Sequence, residues 1–507
     1  MGDNLFSSEV AVHDRISLGR YITGNEITSN SIHEGVGEMT PDQIGFTFLY
    51  LAAFLLIGKW IRIKVKWLQN LFLPSSIIGG FIALILGPQV LGKLAGFVVS
   101  DNSFLTNGIM TKEVMEVWSA LPGIMINVVF ATLFLGATIP TLAKIWEYGG
   151  PQLAFGWAMG WGQYVIGILL TILVLTPFFG LPPMAGALIE VAFEGGHGTA
   201  AGMAGTFKEM GFSEAYDLSI GLATVGILSG IIMGIILINW AVRKEKTQVI
   251  KDVKGFSTLR KQGIMEFQNR EPAAKMTVRP ESIEPLSLHF AVVGMAVFLG
   301  WLILKLLIWI ESVTWGMWTD SAFMTYIPLF PLAMIGGILI QVVFNKVDNS
   351  EILDRRMINR IQGFSLDILI LTAIGTVSLD VIGEYIIPFL LLAGAGILWN
   401  VFGFLVLAPR IIPTYWFERG IGDFGQSMGV TATGLLLMRV VDPNNESPAF
   451  QGFGYKQLVY EPFLGGGLVT ALSVPIIYQL GAIPFLIFAA VMCIAGALTG
   501  LLYFGKK

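Results

Sequence analysis

Long apolar stretches separated by short polar ones recur from residue 44 to residue 504. A run of about 20 apolar residues crosses roughly 30 Å of hydrocarbon as a helix. By that measure the pattern predicts eleven spans, at about 44–61, 71–91, 120–141, 152–178, 214–241, 288–311, 325–344, 362–383, 386–408, 459–480 and 482–504. Two further segments, about 183–207 and 412–440, are apolar but interrupted by glycine and charge. We read them as hairpins that enter the membrane and turn back; read as full spans, they raise the count to thirteen.

The interrupted segments carry near-copies of one phrase, Phe193-Glu194-Gly195-Gly196-His197-Gly198 and Phe417-Glu418-Arg419-Gly420-Ile421-Gly422. In hydrocarbon an unpaired backbone group costs several kcal/mol, so irregular backbone survives only when buried in protein or lining a cavity. One such break in each half of the chain is the pattern expected where a transporter holds its cargo. Two other pairs run in the same order. Pro74-x4-Gly79-Gly80 matches Pro331-x4-Gly336-Gly337, and Gly123-x3-Asn127-x4-Thr132 matches Gly363-x3-Asp367-x4-Thr372. Five spans per half force opposite insertion of the two halves, so the hairpins dip from opposite sides. The expected fold is an all-α polytopic membrane protein with two inverted five-helix repeats, each with a re-entrant hairpin, plus one extra C-terminal helix.

Charge placement orients this scheme. Lys59, Arg62, Lys64 and Lys66 follow the first span, ten basic residues lie in 242–286, and Lys346, Arg355, Arg356 and Arg360 follow the seventh span. The loops 312–324 and 380–388 hold no Lys or Arg. With basic loops in the cytoplasm, the N-terminus lies outside and the C-terminus inside. The division is then a polar extracytoplasmic extension 1–42, a first repeat 43–241 with its hairpin at 183–207, and a basic cytoplasmic linker 242–286. A second repeat 287–480 follows, with its hairpin at 412–440, and then a peripheral last helix 481–507. No signal peptide is apparent near Met1. Composition agrees: 54% of residues are hydrophobic and 13% charged, and mean hydropathy is +0.72. That excludes a soluble domain, for which about 25% charge is ordinary. The single cysteine, Cys493, forbids an internal disulfide, and four scattered histidines argue against a metal cluster.

The chemistry on offer is that of cargo binding. Gly195, Gly196, Gly198 and Gly422 let backbone approach a ligand closely. Freed carbonyls suit sodium, and half-helix N–H groups suit a carboxylate. Thr199, Gln426, Ser427 and Thr431 are candidate side-chain contacts. His197, matched by position to Ile421, is either a proton carrier or a neutral brace for the tip. Asp423 is a candidate for a substrate ammonium or for sodium. Arg419 either holds a substrate carboxylate or pairs locally with Glu418 or Asp423. Asn127, Thr132, Asp367 and Thr372 are candidate sodium ligands, with interhelical hydrogen bonding as the bland alternative. Glu190 and Asp217 flank the first hairpin and are read as facing external water.

At these residues the chain resembles the bacterial sodium/glutamate symporter family. The likeness is closest over Gly195-Gly196-His197-Gly198-Thr199-Ala200-Ala201, Phe207-x3-Gly211-Phe212, and the second span with Pro74 and Gly79-Gly80; it extends over about 44–480. The resemblance implies sodium-coupled uptake of L-glutamate across a bacterial inner membrane, with Na+ as coupling ion. It also implies a homodimer among membrane lipids and an elevator-type movement. The N-terminal extension, the enlarged linker, the last span and the charged second hairpin depart from the family pattern. Competing readings are a proton-coupled or exchange transporter of organic acids, with His197 or Asp423 titrating, and an ion channel or membrane sensor. No His-Glu-x-x-His zinc motif is present, and neither an enzyme nor a nucleic-acid partner is expected.

Overall fold

The computed structural model describes residues 41–505, apart from 72, 97–107, 138–140, 251–258, 260–261, 319–322, 348–350 and 444. Nearly all of the N-terminal extension, and the final Lys506-Lys507, lie outside the described residues. Those described form helices joined by loops, with no strand among them. Among the described residues, ten helices are long and apolar enough to cross a membrane. They are α1 (Pro41–Lys64), α2 (Ser75–Gly96), α3 (Lys112–Ala131), α4 (Leu142–Phe179), α8 (Ala215–Arg243), α9 (Pro285–Val313), α10 (Leu329–Val347), α11 (Arg355–Gly375), α12 (Ile386–Ile411) and α16 (Ala482–Phe504). Between α4 and α8 lie three short helices, α5 (Pro183–Phe193), α6 (Gly196–Gly202) and α7 (Ala204–Glu209). Between α12 and α16 lie α13 (Trp416–Val441), α14 (Ala449–Tyr460) and α15 (Leu468–Leu480).

The sequence reading of 459–480 as one span is therefore corrected. That region is two helices, and Pro462 with Gly465-Gly466-Gly467 supplies the interruption: Gly465 and Gly466 take φ of +69° and +99°. The third span also begins earlier than hydropathy suggests, because Thr111 Oγ1 accepts from Val114 N (3.4 Å) and caps the helix there.

Small residues set the packing, as in membrane bundles generally. The helices sort into two groups. In one, α1, α2, α3, α9, α10 and α11 pack together. Gly79 of α2 meets the Phe54 backbone and Leu371, and Trp118 Nε1 of α3 donates to Thr47 O (3.2 Å). In the other, α4 and α8 enclose the broken helices, with α12 and α16 along their outer side. The last helix belongs to this group. Its Phe488 ring lies 5.2 Å from that of Trp161, and Gly496 packs on Ala158 of α4. The first broken segment lies along the other group, where Gly198 meets Ile126 and Leu369, and Gly202 meets Phe330.

The basic loops gather on one face. Lys59 Nζ donates to Gly263 O (2.8 Å), and Lys275 N donates to Asp354 Oδ2 (2.9 Å), so the linker touches both other basic loops.

Candidate functional site: the junction of the broken helices

The first break falls at Glu194–Gly196. Gly196 takes φ +71°, a region that glycine enters without steric cost. The second break falls at Gly429 (φ −162°, ψ 51°) and Val430 (φ +59°, ψ 173°). There the chain folds back on itself: a Cβ on Gly425 would stand 2.7 Å from Gly434 Cα, and one on Gly422 would stand 2.6 Å from Met438 Sδ. Val430 is β-branched, and holding it at positive φ costs about 1–3 kcal/mol. A Cβ on Gly196 would overlap Val430 Cγ1, so the two tips touch.

Their contact lies halfway along α8. A Cβ on Gly226 would overlap Met428 O and sit 2.9 Å from the Phe193 ring. The two segments reach this point from opposite ends of α8. The first leads directly into the N-terminal end. The second has its base at the C-terminal end, where Glu418 Oε1 accepts from Gln248 N (2.5 Å) and Val249 N (3.0 Å).

Two glutamates of the first segment tie the broken elements together. Glu190 accepts from Tyr164 OH of α4 (2.5 Å), Thr470 Oγ1 of α15 (2.8 Å) and Gly465 N (3.0 Å). Glu194 accepts from Ser427 Oγ of α13 (2.7 Å) and Tyr460 OH of α14 (2.6 Å). Both carboxylates are buried; Gly465 N is a pure donor, while the hydroxyls around them can accept as well as donate. Gln163 and Asn400 donate to Ser427 O at 2.7 and 2.8 Å, satisfying the carbonyl that the second break would otherwise strand. Thr431 Oγ1 donates to Glu461 Oε1 (2.8 Å), and Gln457 Nε2 bonds both.

Charge at the junction is unbalanced. Glu190, Glu194 and Asp423 are 0–2% exposed, against Lys456 at 0% and Arg419 at 5%, and the less buried Glu461 adds another acid. Buried charge is costly unless paired, so a carboxylate left over here either holds a proton or draws a further cation, while Glu461 also faces Arg355.

The sequence model of the sodium/glutamate symporter family matches residues 43–442. The chain belongs to the sodium/glutamate symporter family. That is a family of transporters, not enzymes. A sodium/glutamate symporter of Haemophilus influenzae is 28% identical over 193 residues, 37% of this chain and 42% of that protein. The chain thus aligns with less than half the length of that relative.

Several residues singled out from the sequence converge at the junction. Gly195, Gly196, Thr199, Gln426, Ser427 and Thr431 surround the tips, and a Cβ on Gly466 would overlap Thr199 Oγ1. Asp423 lies one turn away, 3.0 Å from Lys456 Nζ. His197 braces the first tip. Its Nε2 lies 2.8 Å from Thr224 Oγ1, which also bonds Ile220 O (3.0 Å). Gly422 lies inside a regular half-helix packed on Met438, and Gly198 faces the other helix group.

Four placements correct the sequence reading. Glu190 is fully buried rather than facing external water. Asp217 accepts from Ser378 N (2.6 Å), across to the loop after α11. Arg419 bonds neither Glu418 nor Asp423; its Nε donates to Gln152 Oε1 (3.0 Å) and an Nη to Tyr148 O (2.8 Å). The counterpart of His197, counted from the breaks, is Thr431 and not Ile421.

The candidate sodium set is dispersed. Asn127 Nδ2 donates to Gly123 O, Thr132 Oγ1 to Val129 O, and Thr372 Oγ1 to Ile368 O, all within their own helices. Arg355 Nη1 bonds Thr132 O and Leu135 O, and Gly375 meets Trp118, so α3 and α11 run antiparallel. At 1.5 Å per residue, that register leaves Asn127 and Asp367 within about a turn of each other along the helices but puts Thr132 and Thr372 about 18 Å apart. Asp367 is exposed.

The sequence reading missed Tyr164, Tyr460, Lys456, Glu461 and Thr470. The last four lie beyond the family match. Their signal was present: Lys456 and Glu461 stand beside a triple glycine inside an apolar stretch. One further motif is spelled without its context. Gly425-Gln426-Ser427-Met428-Gly429 has the letters of a nucleophile elbow, which needs a strand-to-helix turn. Ser427 here ends a half-helix and donates to Glu194.

Proposed function

We propose that the protein is a secondary active symporter that couples sodium entry to uptake of L-glutamate or a related carboxylate. The observation that carries this reading is the contact between Gly196 and Val430, midway along α8, of two segments arriving from opposite ends. In a bilayer these become re-entrant hairpins of two inverted repeats, with basic loops in the cytoplasm and the N-terminus outside. Broken backbone at that depth supplies carbonyls for a cation and N–H groups for a carboxylate.

The surplus of carboxylates at the junction attracts sodium more directly than Asn127, Thr132, Asp367 or Thr372 does. Thr199, Gln426, Ser427 and Thr431 are the cargo contacts we favour. The group built on α1–α3 and α9–α11 is the scaffold of a homodimer in the bacterial inner membrane. The hairpin group slides against it, elevator-fashion, across the small side chains facing Ile126 and Phe330.

The test is uptake of radiolabelled L-glutamate into proteoliposomes, with and without an inward sodium gradient and with aspartate, malate and citrate as competitors. Uptake that requires the sodium gradient is expected. Equal uptake driven by a proton gradient alone would move the coupling to protons, and sustained single-channel currents would reject alternating access.

A further inference from the structure

Lys456 carries its charge deep inside the hairpin group, with 0% exposure. Its Nζ lies 3.0 Å from Asp423 Oδ1 and donates to Gln426 Oε1 at 2.6 Å. The centroids of the Tyr460 and Phe453 rings are 4.0 and 5.4 Å away. A carboxylate oxygen, an amide oxygen and two aromatic faces are groups that a dehydrated cation takes as its shell.

The cage is assembled from three elements. Asp423 and Gln426 come from the first half of α13, the rings from α14, and space from α4, where a Cβ on Gly156 would stand 2.6 Å from Lys456 Cε. Both oxygens of Asp423 are buried, and the Lys456 ammonium is the charge paired with them, with Gln152 and Arg419 close by. Buried ion pairs seldom stabilise a fold more than apolar residues of the same size would, so stability alone is a weak reason for this one.

We propose that Lys456 is a tethered cation, reaching from α14 to the place beside the second hairpin where a coupling ion binds if residue 456 is neutral. The proposal rests on the sodium-coupled reading above. A tethered charge travels with the hairpin in both directions and moves no net charge per cycle. A sodium ion in the same place is released inside and does.

The experiment compares wild type with Lys456→Met and with the double variant Asp423→Asn/Lys456→Met, purified and reconstituted. For Lys456→Met, the Hill slope for sodium is expected to rise by about one, and the charge moved per glutamate by about one elementary charge. The double variant lacks both members of the pair and should return to the wild-type sodium slope, whatever its maximal rate. Where transport is lost, the sodium dependence of the melting temperature reads the same quantity, and a steeper dependence in Lys456→Met supports the proposal. Slopes, charge ratio and melting shifts equal to wild type would overturn it. So would a single variant that neither sodium nor Asp423→Asn restores to a folded state, since Lys456 would then be a packing residue. Sodium-independent uptake by wild type would instead reject the coupling reading, and that arm reports on it separately.

Discussion

The two broken segments repeat the same phrase and use it differently. In the first, Glu194-Gly195-Gly196 is the break: the glutamate faces the junction and the second glycine turns the chain at φ +71°. In the second, Glu418 sits at the base and holds the linker, Gly420 and Gly422 lie in a regular half-helix, and the chain turns only at Gly429-Val430. Aligned on the breaks, Gly195 corresponds to Gly429, Gly196 to Val430 and His197 to Thr431. The comparison teaches that position relative to the break, more than the letters, decides what a residue meets.

The sharpest way to break this comparison is to exchange the tip residues. Gly196→Val forces a β-branched side chain to positive φ and into Val430, costing about 2–6 kcal/mol from strain and overpacking together. We expect no measurable uptake. Val430→Gly relieves strain at the other tip, and uptake should stay within about threefold of wild type with an unchanged or higher melting temperature. Equal losses in both variants would mean that the tips do not meet as described.

Next in size is the pair of matched glutamates. Glu194→Gln removes a negative charge from the junction and turns charge-assisted bonds with Ser427 Oγ and Tyr460 OH into neutral ones, at a cost of about 1–2 kcal/mol. Half-saturating sodium should rise by about tenfold or more, since about 1.4 kcal/mol is a factor of ten. Glu418→Gln loses charge-assisted bonds to two linker N–H groups, worth about 1 kcal/mol. It should lower the melting temperature and leave sodium affinity alone. Glutamates that behaved alike would restore the equivalence their sequences suggest.

This difference also marks what the sequence could reveal. The apolar runs are long and their signal is additive, so seven of the ten long helices were legible within a turn or two, and the first break announced itself by adjacent glycines. The second break rests on one glycine and a strained valine, a conformation imposed by packing that propensity does not encode. The region 459–480 misled for a related reason. Its average hydropathy is that of a span, while Pro462 and three glycines interrupt the helix. Glu461 falls inside that apparent span and Lys456 just before it, and both belong to the junction.

Gly422 and Asn127 offer the finest test, because both look functional in the sequence and both make ordinary local contacts in the fold. A methyl at Gly422 meets Met438 Sδ at 2.6 Å, a flexible side chain that gives way at a cost of about 1–3 kcal/mol. Gly422→Ala should therefore lower the melting temperature while sodium and glutamate affinities stay within about twofold of wild type. Asn127→Ala loses a single bond to Gly123 O, a carbonyl of its own helix. The effect on stability should be under about 1 kcal/mol, smaller than for Gly422→Ala, with sodium activation unmoved. Should Asn127→Ala raise half-saturating sodium several-fold, the ion would have to pass within reach of α3. The scaffold helices would then belong to the binding site together with the tips of the hairpins.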